Sequence, residues 1–278
     1  MNTPFNRRLS LRALGLLGLL GAAMLAPALL VGCASTGAPA EVRSALAPTG
    51  TLRVGVYPGS PTSLVRGPGA GEMRGVTVDI GRALAQRLGV PVDFVVLERV
   101  PEVIDALKAG RVDFTITNAS PARAREVDFT PPLIGIESGY LVAAASPLRT
   151  QAEVDRAGVR VGVTQGSTSQ GVLSRDLKQA RLVVAPSVSA ATQMLRQGEL
   201  DAFATNKAIL FEMADQLPGS RVLEGRWGME QLAIAVPQGR TAAAAWLQAF
   251  AADVTAKGLV QQAAQRADLR GAVAPTAP

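Results

Sequence analysis

Between residues 51 and 267 the chain switches repeatedly between two hydrophobic periods. Val112, Phe114 and Ile116 alternate with polar neighbours, the period of a strand, before the pattern breaks at Asn118-Ala119-Ser120-Pro121. Ile80, Leu84 and Leu88 recur at helical spacing and give one apolar face, which Gly89 closes. Thr77 reads as the cap of that helix, with Asp79 in its first turn. Residues 241–257, rich in Ala and Leu, predict a C-terminal helix, and residues 138–145 and 231–237 predict two extended apolar strands.

The pattern repeats. LRVGVYPGS at 52–60 lines up with VRVGVTQGS at 159–167, and ALKAGRVDFTITN at 106–118 with MLRQGELDAFATN at 194–206. Each copy opens on a strand ending in Gly-Ser. Each later carries a helix closed by a glycine, Gly110 or Gly198, and a strand ending in Thr-Asn. Strands alternating with helices imply parallel sheets. Two copies of the unit predict an α/β protein of two similar lobes, although a single six-stranded sheet can be written from the same residues.

The first 32 residues change the picture of charge. Arg7, Arg8 and Arg12 precede an apolar run at 14–30, and Leu30-Val31-Gly32-Cys33 reads as a lipobox with Cys33, the one cysteine, as the lipidated residue. The run is also long enough for a transmembrane anchor, and residues 7–11 partly match a twin-arginine signal. Without residues 1–32 the net charge of +6 falls to about +3, because three arginines and no acids are lost. No basic run is interleaved with aromatics, so nucleic acid is not an expected partner. Residues 33–48 read as a tether, and the last eight residues, 271–278, as a frayed tail. The chain has no histidine and no cysteine besides Cys33. That removes thiol nucleophiles, Ser-His-Asp triads and histidine metal sites; no metal or cofactor is expected.

Candidate chemistry collects at three strand ends. After the strand at 112–117, Ser120 and Pro121 read as N-cap and first helical residue. Arg123 can then turn its planar fork of donors back over the strand end, where an α/β sheet holds a ligand. Asn118 offers a donor and an acceptor there, or serves the turn. Gln165-Gly166-Ser167-Thr168 opens a helix whose first N–H groups suit an anion. No Gly-Lys-Ser/Thr follows, so it is not a nucleotide loop. Tyr57 ends the first strand.

The segment VDFTITNASPAR…VDFTPP, together with GVTVDI at 75–80, resembles the signatures of the family 3 extracellular solute-binding proteins, substrate receptors of polar amino-acid ABC importers. The resemblance covers residues 51–267 and implies the two-lobed, type II periplasmic-binding-protein fold. Its expected parts are a signal peptide 1–32, a tether 33–48, lobe one from 49–145 and 232–270, lobe two from 146–231, and a tail 271–278. It implies that Arg123 grips a ligand carboxylate, with Ser120 in place of the usual threonine, and that Tyr57 packs on the ligand. It also places Gly166, Ser167 and Thr168 at the anion and Asn206 where the family has an aspartate for the ligand's ammonium. With Asn206 neutral, either another carboxylate, such as Glu137, serves the amine, or the ligand is not an ordinary α-amino acid. The expected partners are ABC permease subunits, and the expected state is a lipid-anchored monomer facing the periplasm, at the inner or the outer membrane. Two other readings fit the resemblance: a cyclohexadienyl dehydratase-like enzyme with Glu137 as acid, and a sensory lipoprotein without a permease.

Overall fold

Residues 37–275, apart from Pro68 and Ala70, are described in a computed structural model; the residues read as a signal peptide, and Cys33, lie outside them. The first half runs α1 (Ala40–Leu46), β1 (Leu52–Val56), a ribbon of β2 (Val65–Arg66) and β3 (Met73–Arg74), α2 (Val76–Leu88), β4 (Val92–Val96), α3 (Val100–Lys108), β5 (Thr115–Asn118), β6 (Val127–Phe129) and β7 (Ile134–Val142). The second runs β8 (Arg160–Thr164), α4 (Thr168–Asp176), β9 (Arg181–Ala185), α5 (Val188–Arg196), β10 (Ala202–Asn206), α6 (Lys207–Gln216) and β11 (Arg221–Val222). The chain ends with β12 (Gly228–Pro237), α7 (Thr241–Ala256), α8 (Leu259–Arg266) and β13 (Ala272–Val273).

The alternating strands pair in parallel, as βαβ crossovers require. β1 pairs β4 and bridges Phe114, and β8 pairs both β9 and β10. The large sheet follows the order β5-β12-β7-β10-β8-β9. β7 is its shared spine. Its first half pairs β12 and its second half pairs β10, with the change of partner at Ser138. Apolar burial divides at the same place. Leu52, Val54, Ile80, Leu84 and Phe250 belong to one core, whereas Tyr140, Val161 and Leu173, and Leu141, Phe203 and Leu210, fill cores on the far side of Ser138.

Three local expectations are corrected. Residues 40–46, taken as tether, form α1, whose Val42 and Leu46 are buried in the first core. The tail taken as frayed contains β13, which pairs β7 at Gly135 and Ile136. Thr77 does not cap α2: it lies inside the helix, and its hydroxyl donates to the Thr62 carbonyl at 2.8 Å. The cap position is Gly75, with φ 156°, where a Cβ would stand 2.1 Å from the Ser63 carbonyl oxygen. Asp79 does sit in the first turn, paired with Arg82 and Arg266.

The repeat carries a matching clamp in each copy. Arg53 donates from its backbone N–H and Nε to Asp113 Oδ2 (3.1 and 2.8 Å) and from Nη2 to Oδ1 (2.7 Å). Arg160 makes the same three bonds to Asp201 at 2.8, 2.9 and 2.9 Å. The two differ in setting. The Asp113 side chain is fully buried and also faces Arg240 at 3.6 Å, whereas the Asp201 side chain is 34% exposed. Breaking a buried pair leaves an uncompensated charge and costs roughly 3–5 kcal/mol, whereas exposed pairs contribute about 1 kcal/mol or less. Asp113→Ala should therefore lower the unfolding midpoint several times further than Asp201→Ala in chemical denaturation. Equal losses would show that burial does not set the difference.

Candidate functional site

The ends of β1, β5 and β10, the start of α4 and the start of β12 surround a cavity of about 50 Å³ lined from both sides of the division at Ser138. Of the residues singled out in the sequence, Arg123, Asn118, Tyr57, Ser167, Thr168 and Asn206 line it.

Arg123 opens a short 3₁₀ turn after β5; its N–H reaches Ser120 Oγ at 3.4 Å, but the cap position is Ala122, so Ser120 and Pro121 are not the N-cap and first helical residue expected. The side chain returns over the strand, where Nη1 donates to Thr117 Oγ1 at 2.7 Å. Among the described residues Arg123 makes no ion pair. Burial pushes its pKa down, with Glu230 and Tyr57 pulling the other way. A guanidinium with five donors and one protein partner is equipped to take a carboxylate in bidentate fashion.

Asn118 ties the two sides together. Its Oδ1 accepts from the Gln231 N–H at 2.9 Å, and its Nδ2 donates to Thr168 Oγ1 at 3.2 Å. Ser167 caps α4 by accepting from the Gln170 N–H at 3.1 Å, so Thr168 begins the helix where N–H groups lack intrahelical acceptors. The half-buried Tyr57 is fixed through its N–H to Ser63 Oγ at 2.9 Å, and burial pushes its phenol pKa up.

Two expected residues stand outside this cavity. Ser120 and Gly166 line an adjoining one, which shares Arg123, Asn118, Ser167 and Thr168. The Gly166 N–H is already donated to Gln170 Oε1 at 2.6 Å, and a Cβ at this residue would lie 2.3 Å from Pro101 Cγ. Gly166 is thus a point of close approach rather than an anion donor. Glu137 is not at the cavity at all. It pairs with Lys207 at 2.6 Å and Arg226 at 3.0 Å, and the Lys207 hydrogen bond holds its carboxyl below the usual range. That excludes Glu137 both as the amine's partner and as a catalytic acid.

The buried carboxylate at the site is Glu230, which was not anticipated. Asn206 caps α6 by accepting from the Ile209 N–H at 3.2 Å, and its Nδ2 donates to Glu230 Oε2 at 2.9 Å. Glu230 is 8% exposed, and burial raises its pKa against the attraction of Arg123 and the Asn206 hydrogen bond. A sequence signal existed: at strand period Glu230 falls on the same face as Leu232, Ile234 and Val236, all buried. A half-buried arginine and a buried carboxylate thus face one small cavity without forming an ion pair with each other.

The profile of the bacterial extracellular solute-binding proteins, family 3, matches residues 52–267. The glutamine-binding protein of Geobacillus stearothermophilus is 26% identical over 189 residues, which cover 66% of this chain and 72% of that protein. An ancestral arginine-binding protein bound to glutamine superposes with a TM-score of 0.70 and 25% identity, over 80% of this chain and 98% of the other. An ancestral amino acid-binding protein, a precursor of cyclohexadienyl dehydratase, superposes with a TM-score of 0.69 and 23% identity over 80% and 97%. The fold is the two-lobed α/β fold of the type II periplasmic binding proteins.

Because the folded-state pKa of Glu230 is raised, the folded protein keeps this proton at pH values where the unfolded chain has lost it. The group's contribution is therefore greatest at low pH and is lost as pH rises from the ordinary glutamate range through the raised value. Glu230→Gln should raise the ligand-free melting temperature above the parent's at pH 7–8, with the difference vanishing near pH 4. A variant less stable than the parent at pH 8 would contradict this.

Proposed function

Because this chain belongs to the bacterial extracellular solute-binding proteins of family 3, we propose that it is an envelope receptor that binds one free polar amino acid between its two lobes. The observation that supports this most is the pair of opposite charges facing one cavity, Arg123 half-buried and Glu230 buried. Arg123, with the N–H groups at the start of α4, takes the α-carboxylate, and Glu230 takes the ammonium. Glu230 thereby supplies from β12 the negative charge that Asn206 lacks, and Asn206 positions it. Named relatives that bind glutamine, and an arginine-binding ancestor, support the amino-acid class.

The rest of the reading follows the family. Lobe one comprises residues 49–145 and 232–270, lobe two 146–231, and they close on the ligand about the strands that cross at β7 and β12. Closure is favoured because the ligand bonds both lobes at once. The hydrogen bond from Asn118 to Thr168 and that from Arg99 Nη1 to Gln165 Oε1 join the lobes when the cleft is shut. Cys33 anchors the chain through lipid, and the closed receptor docks as a monomer on an ABC permease.

Isothermal titration against an amino-acid and organic-acid panel tests the site. Removing one member of a buried charge pair costs roughly 2–5 kcal/mol, so Arg123→Ala should weaken binding by about 30-fold to several thousand-fold. Glu230→Gln should weaken amino acids but not simple carboxylic acids. Asn206→Asp should not tighten binding, because two carboxyl groups at hydrogen-bond distance share a proton and add no net charge. Tighter binding by Asn206→Asp would show that the ammonium lacks a counter-ion and that Glu230 does not serve it.

A further inference from the structure

Four charged side chains line the central cavity: Arg123 and Glu230 at the buried headgroup end, and Glu98 and Arg99 from the turn between β4 and α3. Arg99 is committed. Its Nε donates to Glu102 Oε1 at 2.8 Å and its Nη1 to Gln165 Oε1 at 2.5 Å. Glu98 is different. Its N–H is fixed by Glu102 Oε2 at 3.1 Å, but its carboxylate has no hydrogen-bond or ion-pair partner among the described residues.

The position of Glu98 follows from how the cavities join. The central cavity meets one neighbour along Asn118, Arg123, Ser167 and Thr168, the carboxylate end. It meets another along Pro58, Glu98 and Val188, none of which lines the first neighbour. Pro58, Val100 and Val188 give the wall near Glu98 an apolar character suited to a methylene stem. A ligand held by its carboxylate at Arg123 and its ammonium at Glu230 has only its side chain left to point toward Glu98.

We infer that Glu98 reads the tip of the ligand's side chain and selects amino acids ending in a cation over those ending in a carboxylate or a plain alkyl group. This rests on the amino-acid reading of the site and deepens it. Glu98 is exposed, so solvent screens it, and the effect sits at the modest end for a charge-assisted contact.

Titration calorimetry on the full chain with L-arginine, L-lysine, L-glutamine, L-leucine and L-glutamate tests this, using the parent, Glu98→Gln and Glu98→Ala. The parent should bind L-arginine or L-lysine at least about 10-fold more tightly than L-glutamate. Glu98→Gln should lower affinity for the cationic pair by about 10-fold while changing L-glutamine and L-leucine by no more than about 2-fold. An order of preference that Glu98→Gln leaves unchanged, or a parent that prefers L-leucine or L-glutamate, overturns the role of Glu98 and leaves the amino-acid reading standing. If the parent binds no amino acid while Arg123→Ala and the parent behave alike, the amino-acid reading falls, and this inference with it.

Discussion

The structure is organised around two unlike charges, the half-buried Arg123 and the buried Glu230, that face one cavity and are kept from pairing. Burying a guanidinium and a carboxylate is costly unless something compensates each. Here each has a single neutral partner, Thr117 for Arg123 and Asn206 for Glu230. Both pKa directions record the strain: burial disfavours the charged form of Arg123 and of Glu230 alike. A protein can hold such a pair only if rigid strand ends fix both side chains. β5 and β12, antiparallel neighbours, hold Thr117 and Glu230, and β10 holds Asn206 at the tip that faces them. On the proposed reading, a zwitterion inserted between the two charges relieves both at once.

The internal repeat explains how the partners come to face each other. Each copy fixes its first strand with an Arg–Asp clamp and ends a later strand in Thr-Asn. Those two asparagines, Asn118 and Asn206, are the equivalent positions, and each reaches beyond its own element: Asn118 to Thr168, and Asn206 to Glu230. The clamps lie at the starts of β1 and β8, so the opposite ends of the same strands meet at the cavity. One copy's mutation load is not the other's, however, because burial has made the first clamp a core element and left the second near the surface.

What the sequence disclosed follows from this. Period-2 runs, helix-closing glycines and the repeated unit revealed the α/β plan, and the Ser-Pro-x-Arg spacing revealed Arg123. Thr168 and Ser167 were visible because a helix start has a fixed chemistry. Gly166 was misjudged because its φ of 68° serves a turn packed against Pro101, a contact 65 residues away in the chain that no local pattern records. Glu137 was named and Glu230 overlooked for a related reason. Both lie on the crossing strands, and only tertiary pairing shows that Lys207 and Arg226 claim one while the cavity claims the other. The helix at 40–46 and β13 escaped notice because neither carries enough residues for a period to show.

β13 has a consequence for the spine of the fold. β12 and β10 run along opposite edges of β7, and β13 completes the second edge beside Gly135 and Ile136, where β10 does not reach. Gly135 accommodates it, since a Cβ there would lie 2.9 Å from Val273 Cγ2. Arg270 secures the approach through Asp215, Glu212 and the ring of Phe211. A chain shortened before Leu269 would keep every cavity residue, yet its spine would offer free backbone donors and acceptors to any passing strand. Loss of the strap would thus appear first as self-association and poor solubility, in a protein whose pocket is still intact.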